Sequence, residues 1–200
     1  MAQISDRVNR LAASATFAML QKSNELSAQG VDVVNMSVVE PDFNTPDYVK
    51  KAAVEAVEQN YSKYSPVPGY MWLRKACADK LKRENGLDYA PAEILVSTGA
   101  KQSLCNVIMA IINPGDEVLL PSPCWVSYPE MVKLAGGVPV VIKAGIDQDF
   151  KVTAAQVEAA ITPKTKAIMI CSPSNPTGSV YTKEELESIA KVLNKYPDVF

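Results

Sequence analysis

The chain has 200 residues, 48% hydrophobic and 21% charged, a globular profile with enough chain for a substantial core of its own. Its 20 basic and 22 acidic residues give a net charge of −2, and no run of like charges offers a footprint for nucleic acid or an anionic membrane. Histidine is absent, which excludes imidazole-dependent triads, metal sites and acid–base schemes, and the cysteines Cys77, Cys105, Cys124 and Cys171 form no C-x-x-C pair.

Reduced thiols are therefore expected, with Cys105 and Cys171 in apolar surroundings as small hydrophobes. Met1 to Arg7 lacks the basic and apolar regions of a signal peptide. The apolar segment Val107 to Ile112 is far short of the ~20 residues that span a bilayer, so the cytoplasm is the expected compartment.

In chain order, Ser14 to Gln29 reads as an amphipathic helix, with Ser14 as capping candidate and Gly30 as its stop. Val31 to Met36 alternates like a strand. Thr45-Pro46 predicts an N-cap followed by proline at the first helical position, opening a helix to about Gln59. The stretch from Asn60 to Gly69, with Pro66 and Pro68, must be a loop, and it carries Tyr61 and Tyr64. A long helix follows from Tyr70 to Asn85 with Gly86 as its stop, then a strand at Ile94 to Val96 and a helix from Ala100 to Ile112.

Asn113-Pro114-Gly115-Asp116 turns the chain into a strand at Val118 to Leu120. A helix near Tyr128 to Leu134 and a strand from Val138 to Ile142 come next. Thr153-Ala154-Ala155-Gln156 is a capping box for a helix to Ile161, and Thr182-Lys183-Glu184-Glu185 is another for a helix to Leu193. Between them lies the apolar run Ala167 to Ile170, and Val199-Phe200 reads as the start of another strand. Short apolar strands alternating with helices predict an α/β fold, a mostly parallel sheet with helices on both faces.

Candidate chemistry gathers in the loops after the strands. Cys171-Ser172-Pro173-Ser174-Asn175-Pro176-Thr177-Gly178 is a rigid polar loop, since each proline fixes its own φ and restricts the residue before it. Asn175 offers a donor and an acceptor from that fixed backbone, which suits a flat polar ligand, though a Pro/Gly-rich turn is the plain alternative. Ser97-Thr98-Gly99-Ala100-Lys101 joins a strand to a helix N-terminus, where free N–H groups and the helix dipole favour an anion. Neither a G-x-G-x-x-G nor a Walker sequence is present.

These two loops, with Glu40-Pro41-Asp42-Phe43, Lys63-Tyr64 and Ser122-Pro123-Cys124-Trp125-Val126-Ser127-Tyr128-Pro129, stand in an order that resembles the class I aminotransferases. The resemblance runs from about Asp6 to the last residue and is strongest to the bacterial aspartate aminotransferase branch. It implies the fold of a pyridoxal-phosphate-dependent transferase, with residues 1–43 as N-terminal arm and small-domain segment and residues 44–200 as part of a large cofactor domain whose remainder is absent. It also implies pyridoxal 5′-phosphate as cofactor, held by Tyr64, Gly99, Ala100, Lys101, Trp125 and Asn175.

By the same resemblance Trp125 stacks on the cofactor ring, Asn175 donates to the ring's phenolic oxygen and helps seat the substrate α-carboxylate, and Tyr64 reaches the phosphate of a neighbouring subunit, implying a homodimer. Ser14, Thr16 and Lys101 are associated with the distal carboxylate of acidic substrates. Val39 stands where the family usually has glycine against the substrate, and its branched side chain is expected to crowd that position or alter specificity. The expected substrates are an amino acid, aspartate or glutamate, and a 2-oxo acid; no metal is expected.

The resemblance places the lysine that forms a Schiff base with the cofactor beyond Phe200, so no catalytic residue is expected here and the chain reads as an inactive N-terminal fragment. Ser188-Ile189-Ala190-Lys191 matches a bare S-x-x-K but falls within a capped helix, where Lys191 reads as solvated. The alternatives are a pyridoxal-phosphate-dependent lyase of the same fold, or a non-catalytic ligand-binding or dimerisation module.

Overall fold

The computed structural model describes residues 4–36 and 41–200. The chain divides into two compact units, one comprising residues 1–33 and 104–200, the other residues 34–103. In chain order the helices are α1 (Asp6–Asn9), α2 (Ala15–Ala28), α3 (Asp47–Glu58), α4 (Met71–Asn85), α5 (Gly99–Ile111), α6 (Ser127–Leu134), α7 (Ala154–Ala160) and α8 (Lys183–Leu193). The strands are β1 (Glu117–Ser122), β2 (Val138–Lys143) and β3 (Thr165–Ile168).

In the first unit the three strands form a parallel sheet in the order β2-β1-β3, with Leu119 of β1 opposite Val140 on one side and Ile168 on the other. Because side chains alternate along a strand, β1 feeds two cores. Val118 and Leu120 point to one face, where they meet Ile108 and Ile112 from α5 and its end, Tyr128 and Val132 of α6, and Ala167 of β3. Leu119 points to the other, against Ile142, Val157 of α7, and Ile189 and Val192 of α8.

Val118 and Leu119 are fully buried and Leu120 is 1% exposed, so β1 is apolar on both faces and is covered on both. Each of these side chains contributes about 1.5–3 kcal/mol by leaving water. The expected arrangement, a parallel sheet with helices on both faces, is what the chain adopts. Beside β3, the Phe200 N–H donates to Lys166 O (2.9 Å) and the Ile168 N–H to Phe200 O (2.9 Å), the bonding pattern of a further parallel strand.

Helix boundaries follow their capping chemistry. Thr153 accepts from the Gln156 N–H (3.2 Å) while Gln156 accepts from the Thr153 N–H (2.9 Å), and Thr182 and Glu185 repeat the exchange at 3.2 and 2.7 Å. Gly86 ends α4 at φ +68°. Ser14 occupies the N-cap position of α2 but its side chain makes no capping bond, and no residue of α2 is buried; Phe17 is 69% exposed. At α3 the N-cap is Pro46, one residue later than expected. The short α1, capped by Ser5, was not foreseen.

Two expected strands are absent. Residues 31–36 form no strand, and the Val31 N–H turns back to Leu26 O (3.1 Å) as a helix end does. Ile94 is extended, but residues 94–96 pair with no strand among the described residues. In the second unit the buried Arg74 of α4 donates from Nε to Ile94 O (2.9 Å), and the Val96 N–H donates to Pro68 O (3.0 Å). An arginine and a loop carbonyl take the bonds that a ladder would supply.

Candidate functional site

In the first unit the ends of β1 and β3 lie side by side, and the loops that follow them meet. Ligands of open parallel sheets bind beyond the carboxyl ends of the strands, so this is where the topology directs attention. A crevice of about 10 Å³ there is lined by Pro123 and Cys124 after β1, by Cys171, Ser174 and Asn175 after β3, and by Tyr128 and Tyr181. It holds roughly one water and is not by itself a chamber for a ring-sized ligand.

The loop after β3 is held by its own bonds. The Ser174 N–H donates to Ser179 O (2.9 Å), the Gly178 N–H to Ser174 O (2.8 Å) and the Tyr181 N–H to Ser172 Oγ (3.1 Å). Tyr181 Oη in turn accepts from the Val152 N–H (2.8 Å). The peptide bonds before Pro173 and Pro176 are cis, as is that before Pro123. Asn175 thus sits exposed on a loop anchored at both ends.

Trp125 follows Cys124 directly and meets Tyr128 edge to face, with ring centroids 5.5 Å apart and planes at 89°. Burial, hydrogen bonding with Cys171 and the neighbouring thiols of Cys171 and Cys124 push the Tyr128 phenol up to about 12. Burial alone pushes the Cys124 thiol up. Both cysteines pack against the core beneath α5 and α6, as does Trp125. Tyr128, Cys124 and Tyr181 were not singled out from sequence as lining a site; the available signal was that Cys124 and Tyr128 stand in the same loop motif as Trp125, just ahead of and within the start of α6.

Ser14 and Thr16, at the start of α2, also belong to the first unit; Ser14 is exposed and Thr16 half-buried. Tyr64, Gly99, Ala100 and Lys101 belong to the second. Val39 lies outside the described residues.

Tyr64 is fully exposed on its loop. The flank of that loop is braced by aromatic contacts, Tyr61 edge-on to Tyr70 and Tyr70 stacked on Trp72, both at 5.8 Å. Gly99 opens α5 at φ +82°, a backbone state that side chains rarely adopt, and a Cβ there would meet nothing within 4 Å. Ala100 and Lys101 fill the first helical turn, and the Gly99 N–H donates back to Ser97 O (2.9 Å). The Thr98 N–H donates to Gln102 Oε1. Ser97 Oγ is buried with no hydrogen-bond partner.

A buried hydroxyl without a partner costs free energy, and it stands beside a helix N-terminus with an open glycine. That combination fits an anion such as a phosphate. Among the described residues there is no cluster of metal-ligating side chains, and no helix is long and apolar enough to cross a membrane.

The family profile "Aminotransferase class I and II" matches residues 31–200. The chain therefore belongs to the class I and II aminotransferases, a family that generally works with pyridoxal phosphate. A probable aspartate/prephenate aminotransferase of Rhizobium leguminosarum bv. phaseoli is 52% identical over 200 residues, all of this chain and 50% of the relative. An aspartate aminotransferase of Bacillus sp. (strain YM-2) is 52% identical over 189 residues, 94% of this chain and 48% of that protein. Among solved structures, the aspartate aminotransferase from Rhizobium meliloti superposes with a TM-score of 0.96 at 38% identity, over 100% of this chain and 50% of that one. The Thermus thermophilus aspartate aminotransferase with maleate gives 0.93 at 48% identity, over 98% and 51%. The chain spans about half the length of the curated relatives it matches.

Proposed function

We propose that the whole protein to which this chain contributes moves an amino group between aspartate or glutamate and a 2-oxo acid, using pyridoxal 5′-phosphate, as a cytoplasmic homodimer. The observation that carries the reading is the buried, unpartnered Ser97 hydroxyl beside the N-terminus of α5, which supports an anion site where the family's phosphate cradle is expected. In this reading residues 1–43 form the N-terminal arm and small-domain segment, and residues 44–200 part of the cofactor domain.

Bound there, pyridoxal phosphate supplies an aldehyde and an electron-withdrawing ring to the amino-group transfer. Gly99, Ala100 and Lys101 hold the phosphate, with Tyr64 contributed from a second copy. Trp125 offers its flat face to the ring and holds water away from it. Asn175 donates to the ring hydroxyl and orients the substrate α-carboxylate. Ser14, Thr16 and Lys101 bind the distal carboxylate, Lys101 as a point charge on a flexible stem. Val39 borders the substrate.

The test is turnover of the whole protein with aspartate plus 2-oxoglutarate against cystathionine. Oxaloacetate formation is expected. Elimination from cystathionine without transamination would overturn the reading in favour of a lyase, and inactivity on both would overturn it in favour of a binding module.

A further inference from the structure

The N-terminal segment ahead of α2 meets the sheet-bearing core at α6, where α1 packs and where one carboxylate takes up a backbone N–H. Glu130, in the first turn of α6, accepts from the Ala12 N–H at 2.9 Å through Oε2, across 118 residues of sequence. Its other oxygen, Oε1, accepts from Lys133 Nζ at 2.8 Å, one turn along the same helix. Both oxygens are thus committed, and the lysine fixes the direction in which Oε2 faces. The Glu130 side chain is 25% exposed and so partly sheltered, while Ala12 itself lies at the surface. Burial works to raise the Glu130 pKa, but Lys133 and the Ala12 N–H outweigh it and hold the carboxyl below its ordinary value.

What lies on either side gives the contact its meaning. Ala12 is two residues from Ser14 and four from Thr16, so a bond at Ala12 restrains the chain just ahead of α2. α2 buries no side chain, so packing does little to hold it. Glu130 is five residues from Trp125, on the helix that Tyr128 anchors to the core. We propose that Glu130 is a positioning residue that docks residues 5–14 on α6 and thereby presents Ser14 and Thr16 to the distal carboxylate of an acidic substrate. The substrate part rests on the aminotransferase reading; the docking part does not.

The experiment compares the whole protein with its Glu130→Ala and Glu130→Gln variants. Hydrogen exchange resolved at Ala12 reads the docking directly: about tenfold faster exchange is expected in Glu130→Ala, and recovery in Glu130→Gln, whose amide oxygen still accepts. In steady-state kinetics KM for aspartate should rise about fivefold in Glu130→Ala with kcat little changed, while KM for an aromatic amino acid stays put. A loss of structure alone would not divide the two substrates in this way. Unchanged exchange at Ala12 overturns the proposal, as does an equal rise in KM for both substrates. If Ser14→Ala and Thr16→Ala leave KM for aspartate untouched, the substrate assignment fails, while the exchange data decide the docking independently.

Discussion

Ser97→Ala should make the cofactor-free protein more stable and its grip on a phosphate weaker. The hydroxyl is buried without a partner, and leaving such a group unsatisfied costs about 1–3 kcal/mol. Ser97→Ala deletes the oxygen and leaves the Cβ as a methyl, which removes that cost for only a small void, and the midpoint of urea denaturation rises. If the same hydroxyl donates to the phosphate, its loss removes a hydrogen bond to a charged group, worth about 1.5–3 kcal/mol. At 1.4 kcal/mol per tenfold, affinity falls by about ten- to hundredfold.

The assay is an absorbance titration of the whole protein with pyridoxal 5′-phosphate and, in parallel, with pyridoxal, which has the ring but no phosphate. The expected result is a raised midpoint, weaker binding of the phosphate ester and unaltered binding of pyridoxal. A lowered midpoint would mean the hydroxyl is bonded after all. Equal weakening of both ligands would mean it does not serve the phosphate. Either outcome refutes the reasoning.

Trp125→Ala removes the edge-to-face contact with Tyr128, worth about 0.5–1.5 kcal/mol, and should weaken pyridoxal and its phosphate equally; unchanged affinity for both removes Trp125 from the ring site. The Tyr128 phenol, raised from its ordinary value of 10 to about 12, should be the late component of an alkaline absorbance titration and vanish in Tyr128→Phe. The unfolded chain releases this proton near pH 10 and the folded one only near 12, so its contribution to stability is complete below pH 10 and is lost as pH rises to 12. Gly137→Ala would place a Cβ 2.7 Å from Ile112 Cγ2 and 3.1 Å from both Asp116 O and Val132 Cγ1, costing about 1–3 kcal/mol in denaturation. Gly145→Ala meets chiefly the mobile end of Asp147 and should cost clearly less in the same measurement.

Local chemistry was readable along the chain wherever it closes within a few residues. The capping boxes at Thr153 and Thr182 formed with both reciprocal bonds, and Gly86 stopped α4 in the left-handed state, because each depends on groups three or four positions apart. The alternation of helices with apolar runs was enough for a covered parallel sheet, since β1 has no polar side to turn outward. The order of the loop motifs was enough for the family.

Pairing is another matter, because a strand exists only where a partner accepts its bonds. Residues 31–36 and 94–96 carry the apolar pattern of strands, yet the first finds no ladder and the second is taken up by Arg74 and Pro68. The crevice where Cys124, Cys171, Tyr128 and Asn175 meet depends on β3 lying beside β1, a neighbour relation that no local spacing encodes. The bond from Ala12 to Glu130 crosses 118 residues. Such contacts are set by how the two cores on either face of β1 close, and one-dimensional periodicity carries no record of which loops that closure brings together.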